Sequence, residues 1–156
     1  MSNTNTNIDF TTLNPLINEF VNIYKNNLQP KKASGELINQ TKGKIKVNGK
    51  WLYVVLTLPE YWKYVEYGRR PGKFPPPDVI KEWIRVKPIL PQPYNGKLPT
   101  TNQLAYLIGR KIAKKGIPAT NILSNTIDEF DLVNKIKNAV TELVNNEIQK
   151  EIEDIC

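Results

Sequence analysis

The placement of proline most limits what this chain can become. Nine of its twelve prolines fall between residues 59 and 99, most of them in clusters over 71–77 and 88–99. Proline has no amide hydrogen, and its ring clashes with the preceding helical turn. It therefore ends helices and stays out of sheet interiors. The middle of the chain is restricted to short elements joined by extended loops. Longer elements are confined to the two flanks.

On those flanks the apolar spacing is helical. Leu13, Leu16, Ile17, Phe20, Val21 and Tyr24 recur every three or four residues, which predicts a helix from Asn14–Pro15 to about Leu28. Pro30 breaks it, and Gly35 to Gln40 adds a short turn of helix. Next, Lys44–Val47 alternates polar and apolar, Asn48–Gly49 is a favoured type I′ pair, and Trp51–Leu58 returns as a β-branched and aromatic strand. The run Val54–Leu56 predicts cover on both faces of that strand. After Pro59, Glu60 to Tyr67 reads as a short helix with Gly68 at its end. Asp78 is placed to cap a helix over Val79–Val86, with Ile80, Trp83 and Ile84 as its apolar stripe. Thr100 or Thr101 caps a helix to about Lys115, striped by Leu104, Ile108 and Ile112, backed by Ala105 and Leu107, and stopped by Gly116. A short helix ends at Phe130. The final helix, 131–155, carries Leu132, Ile136, Val140, Leu143, Val144, Ile148, Ile152 and Ile155. The fold class is α+β, expected as a single domain over 1–156 with a flexible arm at 1–10. The last stripe exceeds the needs of one small core, so its far end, with Ile148 and Ile152, is expected to pack on another subunit.

Absent residue types exclude several chemistries. The chain has no histidine and one cysteine, Cys156. It therefore offers no Ser-His-Asp triad, Cys-His pair or imidazole ligand, and no internal disulfide or thiolate zinc site. Its three serines (Ser2, Ser34 and Ser124) have no neighbouring base. The carboxylate pairs Glu151/Asp154 and Asp128/Asp131 read as solvated helix faces. The expectation is a protein that is not an enzyme, with no catalytic residue, metal or cofactor. Residues 1–7 lack the basic and apolar regions of a signal peptide. No apolar run approaches the roughly 20 residues that span a bilayer. A soluble chain of the cytoplasm, without a membrane partner, is expected.

The overall charge of +7 is unevenly spread. Residues 1–59 carry a net +4, residues 60–116 a net +8, and residues 117–156 a net −5. Copies of such a molecule can meet with positive surface against negative.

Two stretches carry a resemblance. Tyr61-Trp62-Lys63-Tyr64-Val65-Glu66-Tyr67-Gly68, followed by a loop of arginine and proline, resembles an aromatic, x, x, aromatic, Val-Glu-aromatic-Gly signature. That signature belongs to the tailed-bacteriophage minor tail, or head–tail joining (tail-completion, neck), protein family of the lambdoid type. The Trp83 helix and the segment Leu104–Ala119, a helix ending in a basic turn with glycine, follow in the family's order. The resemblance spans roughly residues 10–150. Arg69 stands where the family often has Thr, and the proline-rich insert at 88–99 is variable. The resemblance implies an α+β fold without catalysis. It implies a structural protein forming a homo-oligomeric ring in the virion neck, assembled in the host cytoplasm. Such a ring holds twelve copies, or alternatively six. It contacts portal or adaptor and tail proteins, and double-stranded DNA passes through it during genome ejection.

Two readings of the aromatic helix stay open at this level. Its aromatics belong to the core, or Tyr64, Tyr67, Gly68, Arg69, Arg70, Lys73 and Phe74 form an inter-subunit contact, since Tyr and Arg concentrate at interface hot spots. Arg110, Lys111, Lys114 and Lys115 are candidates for contact with DNA or an acidic partner. The alternative function is sequence-independent nucleic-acid binding, which a basic patch interleaved with aromatics also fits.

Overall fold

A computed structural model describes residues 8–31, 35–87, 89, 91–93 and 96–155. Among these, the chain is α+β, with seven α-helices and one two-stranded antiparallel sheet. The helices are α1 (Asn14–Leu28), α2 (Glu36–Gln40), α3 (Trp62–Glu66), α4 (Pro77–Val86), α5 (Thr101–Lys115), α6 (Ile122–Phe130) and α7 (Leu132–Ile155). The strands are β1 (Lys42–Asn48) and β2 (Trp51–Thr57). No described helix is long and apolar enough to cross a membrane. The chain divides into two compact units, each assembled from separate stretches.

The first unit comprises residues 1–27, 40–58 and 122–156. Its core forms where the apolar stripe of α1 meets α6 and the start of α7. Ile17 and Phe20 are fully buried, with Val21, Phe130 and Leu132 beside them and Ile45, Val54, Leu56 and Ile136 closing the edges. The rings of Phe20 and Phe130 meet at 5.8 Å. Burying one such side chain contributes about 1.5–3 kcal/mol. A polar link joins α1 to α6: the Asn27 amide donates to the Thr126 hydroxyl at 2.9 Å, and that hydroxyl donates to the Ile122 carbonyl. Of the arm expected over 1–10, residues 1–7 lie outside the described residues, as does Cys156. Phe10 already opens a 3-10 turn (Phe10–Leu13) that the Asp9 side chain caps by accepting from the Thr11 amide.

The hairpin corrects the expected turn. Asn48 pairs with Trp51, so the turn is Gly49–Lys50 and not Asn48–Gly49. Gly49 has φ +59°, and Lys50 is not in the positive-φ region, which is the type II′ pattern with glycine at its first central position. A type I′ turn would force Asn48 to positive φ as well; here the strained conformation falls on glycine alone. The run Val54–Leu56 is half-buried at all three positions, Val55 lying on the face opposite Val54 and Leu56, while the rest of that second face is open. Ile45, Val54 and Leu56 face α1, while Lys44, Lys46, Trp51 and Tyr53 stand exposed on the other side. Gly43 lets β1 approach the helix closely: a Cβ there would lie 2.6 Å from Ile17 Cγ2 and 2.8 Å from Val21 Cγ2.

The second unit comprises residues 28–39 and 59–121. It is centred on α4 packed against α5. α4 starts at Pro77, one residue before the Asp78 cap expected from sequence, because proline's fixed φ suits the first helical turn, where its missing amide hydrogen costs nothing. Of its predicted stripe, Ile80 is buried, Ile84 half-buried and Trp83 41% exposed. Thr100 caps α5 in a full capping box with Gln103. Ala105 and Gly109, one turn apart, are the buried positions of α5. A Cβ on Gly109 would strike the Phe74 ring and come within 3.0 Å of Ile80, so the missing side chain is what admits them.

Candidate functional site

The segment that carries the resemblance lies wholly in the second unit, held by a backbone clamp. Between the end of α3 and the start of α6 the chain runs back beside itself. Arg69 and Ile117 form an isolated antiparallel bridge, each amide donating to the other's carbonyl at 2.8 Å. Further along, the Gly72 amide donates to the Ala113 carbonyl at 2.8 Å. At the other end, Thr120 and Asn121 donate their amides to the Glu66 carbonyl, each at 3.1 Å, and the Thr120 hydroxyl donates to the Val65 carbonyl at 2.6 Å.

Two glycines make this approach possible. Gly68, at φ +69°, ends α3 in the left-handed region, and a Cβ on it would collide with the Ile117 carbonyl oxygen. Gly116, at φ +73°, ends α5 with its own missing Cβ facing the Arg69 carbonyl oxygen. They stand on opposite strands of the same bridge, each leaving room for the other's backbone.

The clamp displays an aromatic and cationic edge. Tyr64 and Tyr67 are 59% and 65% exposed, so the core reading of the aromatic helix is overturned. The inward position of α3 is instead Glu66, 2% exposed. Spacing suggested the core because apolar residues at three- and four-residue intervals usually face inward. Here the helix is five residues long, and its inward side is set by the backbone bonds at Val65 and Glu66. Tyr67 leans on Trp62, ring centres 5.7 Å apart. Arg69 is half-buried and its guanidinium donates to the Lys73 carbonyl at 2.5 Å, closing the loop on itself; Arg70 and Lys73 are exposed. Phe74 stacks on Tyr106 of α5 at 5.8 Å, beside Gly109. Tyr64, Tyr67, Gly68, Arg69, Arg70, Lys73 and Phe74 are thus gathered on one framed segment.

The cations of α5 are separately arranged. Tyr106, Leu107, Arg110, Lys111, Lys114 and Lys115 all lie on its exposed face, with Leu107 and the four cations lining one shallow depression. Leu107, grouped by sequence with the buried stripe, is 53% exposed and belongs to this face. In the first unit, Ile148 and Ile152 of α7 are 49% and 55% exposed. Sequence did not single out the open hairpin face with Trp51 and Tyr53. The turn pair was its nearest signal, but exposure is decided by which elements pack there.

Among the described residues no group of three or more carboxylates and thiols is placed to hold a metal ion. What the segment offers is a preorganised surface, with tyrosine, arginine and phenylalanine side chains borne on backbone fixed by reciprocal hydrogen bonds. No protein-family model, curated protein or solved structure matches this chain.

Proposed function

We propose that this chain is a structural virion protein that assembles as a ring, of twelve copies, in the neck of a tailed bacteriophage, joining portal to tail around the DNA passage. One observation carries the reading: the residues that resemble the neck-protein signature form an exposed aromatic and cationic edge on a rigid clamp, and not a core. Exposed Tyr and Arg on preorganised backbone suit protein–protein contact, because little side-chain and loop entropy remains to be lost on binding. A closed ring requires two different faces on every copy. The edge at 64–74 supplies one, and the exposed, acidic end of α7 supplies a second of opposite charge.

The same cations support a rival, sequence-independent binding of nucleic acid, which would be steeply salt-dependent. Light scattering after size exclusion, run beside a DNA gel shift over a salt series, separates the two. Self-association with weak DNA binding is expected. The double variant Arg69→Glu/Arg70→Glu is expected to keep the circular dichroism of the parent and lose assembly. Sub-micromolar DNA binding by a monomer would sink the ring reading, and normal assembly of the double variant would remove the loop from the contact.

A further inference from the structure

We infer that the outer face of the β1–β2 hairpin binds single-stranded nucleic acid, through phosphates on β1 and stacked bases on β2. The site lies wholly in the first unit and stands apart from the ring reading, which uses α7 and the segment 64–74. Alternation along β1 puts Lys42, Lys44 and Lys46 on one side of the sheet, all exposed. The register sets Lys46 against Tyr53 and Asn48 against Trp51, so both rings stand on that same side. Trp51 is 69% exposed and Tyr53 46%. Among the described residues no ion pair takes up the three lysines, and neither ring stacks on another ring or a cation. No aspartate or glutamate occurs between Glu36 and Glu60. One sheet face thus carries a row of cations beside a pair of open rings.

Lysines on an edge strand discourage pairing with other chains, but two uncovered rings on the same face do the opposite. Guarding an edge therefore does not account for Trp51 and Tyr53. Residues two apart on a strand are separated by about 6.8 Å. That is close to the phosphate repeat of an extended nucleotide chain, so the three lysines can meet successive phosphates. Trp51 and Tyr53 share the repeat and offer their faces to successive bases, one strand spacing away, about 4.8 Å. A duplex would use the lysines alone, because its bases are already stacked on one another. A single strand uses both rows. An anionic membrane fits less well, since the rings would enter it behind a tip of Asn48, Gly49 and Lys50, which offers no large apolar side chain. The face is fixed before binding. The Ile45 amide donates to the Asn14 side chain at 3.2 Å, and Gly43 seats β1 on Ile17 and Val21 of α1. Little backbone freedom is left to lose when a ligand arrives.

Fluorescence anisotropy of a short fluorescein-labelled oligothymidylate with the full chain tests this. An oligouridylate beside it tells DNA from RNA, and binding of either supports the site. Dissociation constants of about 1–100 μM at physiological salt are expected, the ordinary range for sequence-independent contact. Three phosphate contacts to a single strand predict a log–log salt slope of about −2. Lys42→Gln/Lys44→Gln/Lys46→Gln is expected to flatten that slope. Lys87→Gln/Lys135→Gln/Lys137→Gln removes the same charge at exposed positions elsewhere and is expected to keep it. Trp51→Thr is expected to weaken binding roughly fivefold or more, and Trp51→Phe to restore most of it. Threonine suits a strand, so circular dichroism is expected to stay that of the parent. Photocrosslinking of the parent chain to a bromodeoxyuridine oligomer, read by mass spectrometry, is expected to mark Trp51 or Tyr53. The site is overturned by an unchanged slope in the hairpin lysine variant, equal flattening in both triple variants, or an unchanged affinity in Trp51→Thr. Crosslinks only outside β1 and β2, tighter binding of the matching duplex, or adsorption to phosphatidylserine vesicles without oligomer binding would overturn it too. None of these results touches the ring reading, which is tested by self-association.

Discussion

Gly68→Ala tests the clamp directly. Two costs add at this position. At φ +69° an L-residue pays about 1–2 kcal/mol for the left-handed conformation. The new methyl also meets the Ile117 carbonyl oxygen, the Ala119 nitrogen at 2.7 Å and the Pro118 carbonyl carbon at 2.8 Å. These are backbone atoms, and the reciprocal 2.8 Å bonds of Arg69 and Ile117 tie them to the next residue of the chain. Relief requires moving a whole segment, so the overpacking cost is about 1–3 kcal/mol. Together the loss is about 2–5 kcal/mol, a large share of the 5–15 kcal/mol that stabilises an ordinary domain. Gly96 supplies the control within the same unit: its φ is +72°, and a Cβ there meets nothing within 4 Å. Gly96→Ala pays the conformational cost alone. Urea denaturation followed by far-UV circular dichroism is expected to separate the two variants by about 1–3 kcal/mol at a shared slope. Trypsin is expected to cut after Arg69 faster in Gly68→Ala than in the parent. If the two alanine variants cost the same within about 0.5 kcal/mol, with Arg69 equally protected, the bridge is not a rigid frame, and the preorganisation argument for the edge fails with it.

Gly43→Ala is expected to destabilise the chain by about 1–3 kcal/mol, because its methyl enters the space of Ile17 and Val21. Adding Val21→Ala is expected to return part of that loss in urea titrations; two independent, additive losses would refute the close approach of β1 to α1. Asp9 carries the pH dependence of the first turn. The Thr11 hydroxyl, and then its amide, hold the Asp9 carboxylate below the ordinary aspartate range. A depressed carboxylate stabilises fully above its unfolded value and loses that contribution as pH falls through its folded one. The Thr11 amide resonance is therefore expected to titrate with a midpoint below the ordinary aspartate value and to stop titrating there in Asp9→Asn. A midpoint at or above the ordinary value would refute the cap.

The elements were legible because local rules agree with the fold in most places. The stripe from Leu13 to Tyr24 marked α1 to its terminal residues, and Thr100 with Gln103 and Gly116 bounded α5. Misreadings fell where a local rule had two solutions. Asn48–Gly49 and Gly49–Lys50 both make two-residue turns that leave the same side chains facing α1, so face alternation does not choose between them. Proline clusters announced a loop over 71–77 but not its partner, since hydrogen bonds between Arg69 and Ile117 leave no periodic trace. The division into two units, each drawn from separate stretches, likewise has no marker in the order of residues.

The amino-acid sequence by itself determined the α+β class, the absence of histidine and of a second cysteine, and the separation of a basic middle from an acidic end. Those properties are additive: they follow from composition, short-range spacing and charge counts. The tertiary structure decided which side of each element meets water. It turned Tyr64 and Tyr67 outward and Glu66 inward, moved Leu107 from the core stripe to the cationic face, and left Ile148 and Ile152 uncovered. Exposure depends on which elements pack together, and that is a long-range property no local pattern contains. The candidate site is therefore spelled in the sequence as residues and becomes a surface only when Gly68 and Gly116 let two distant segments touch.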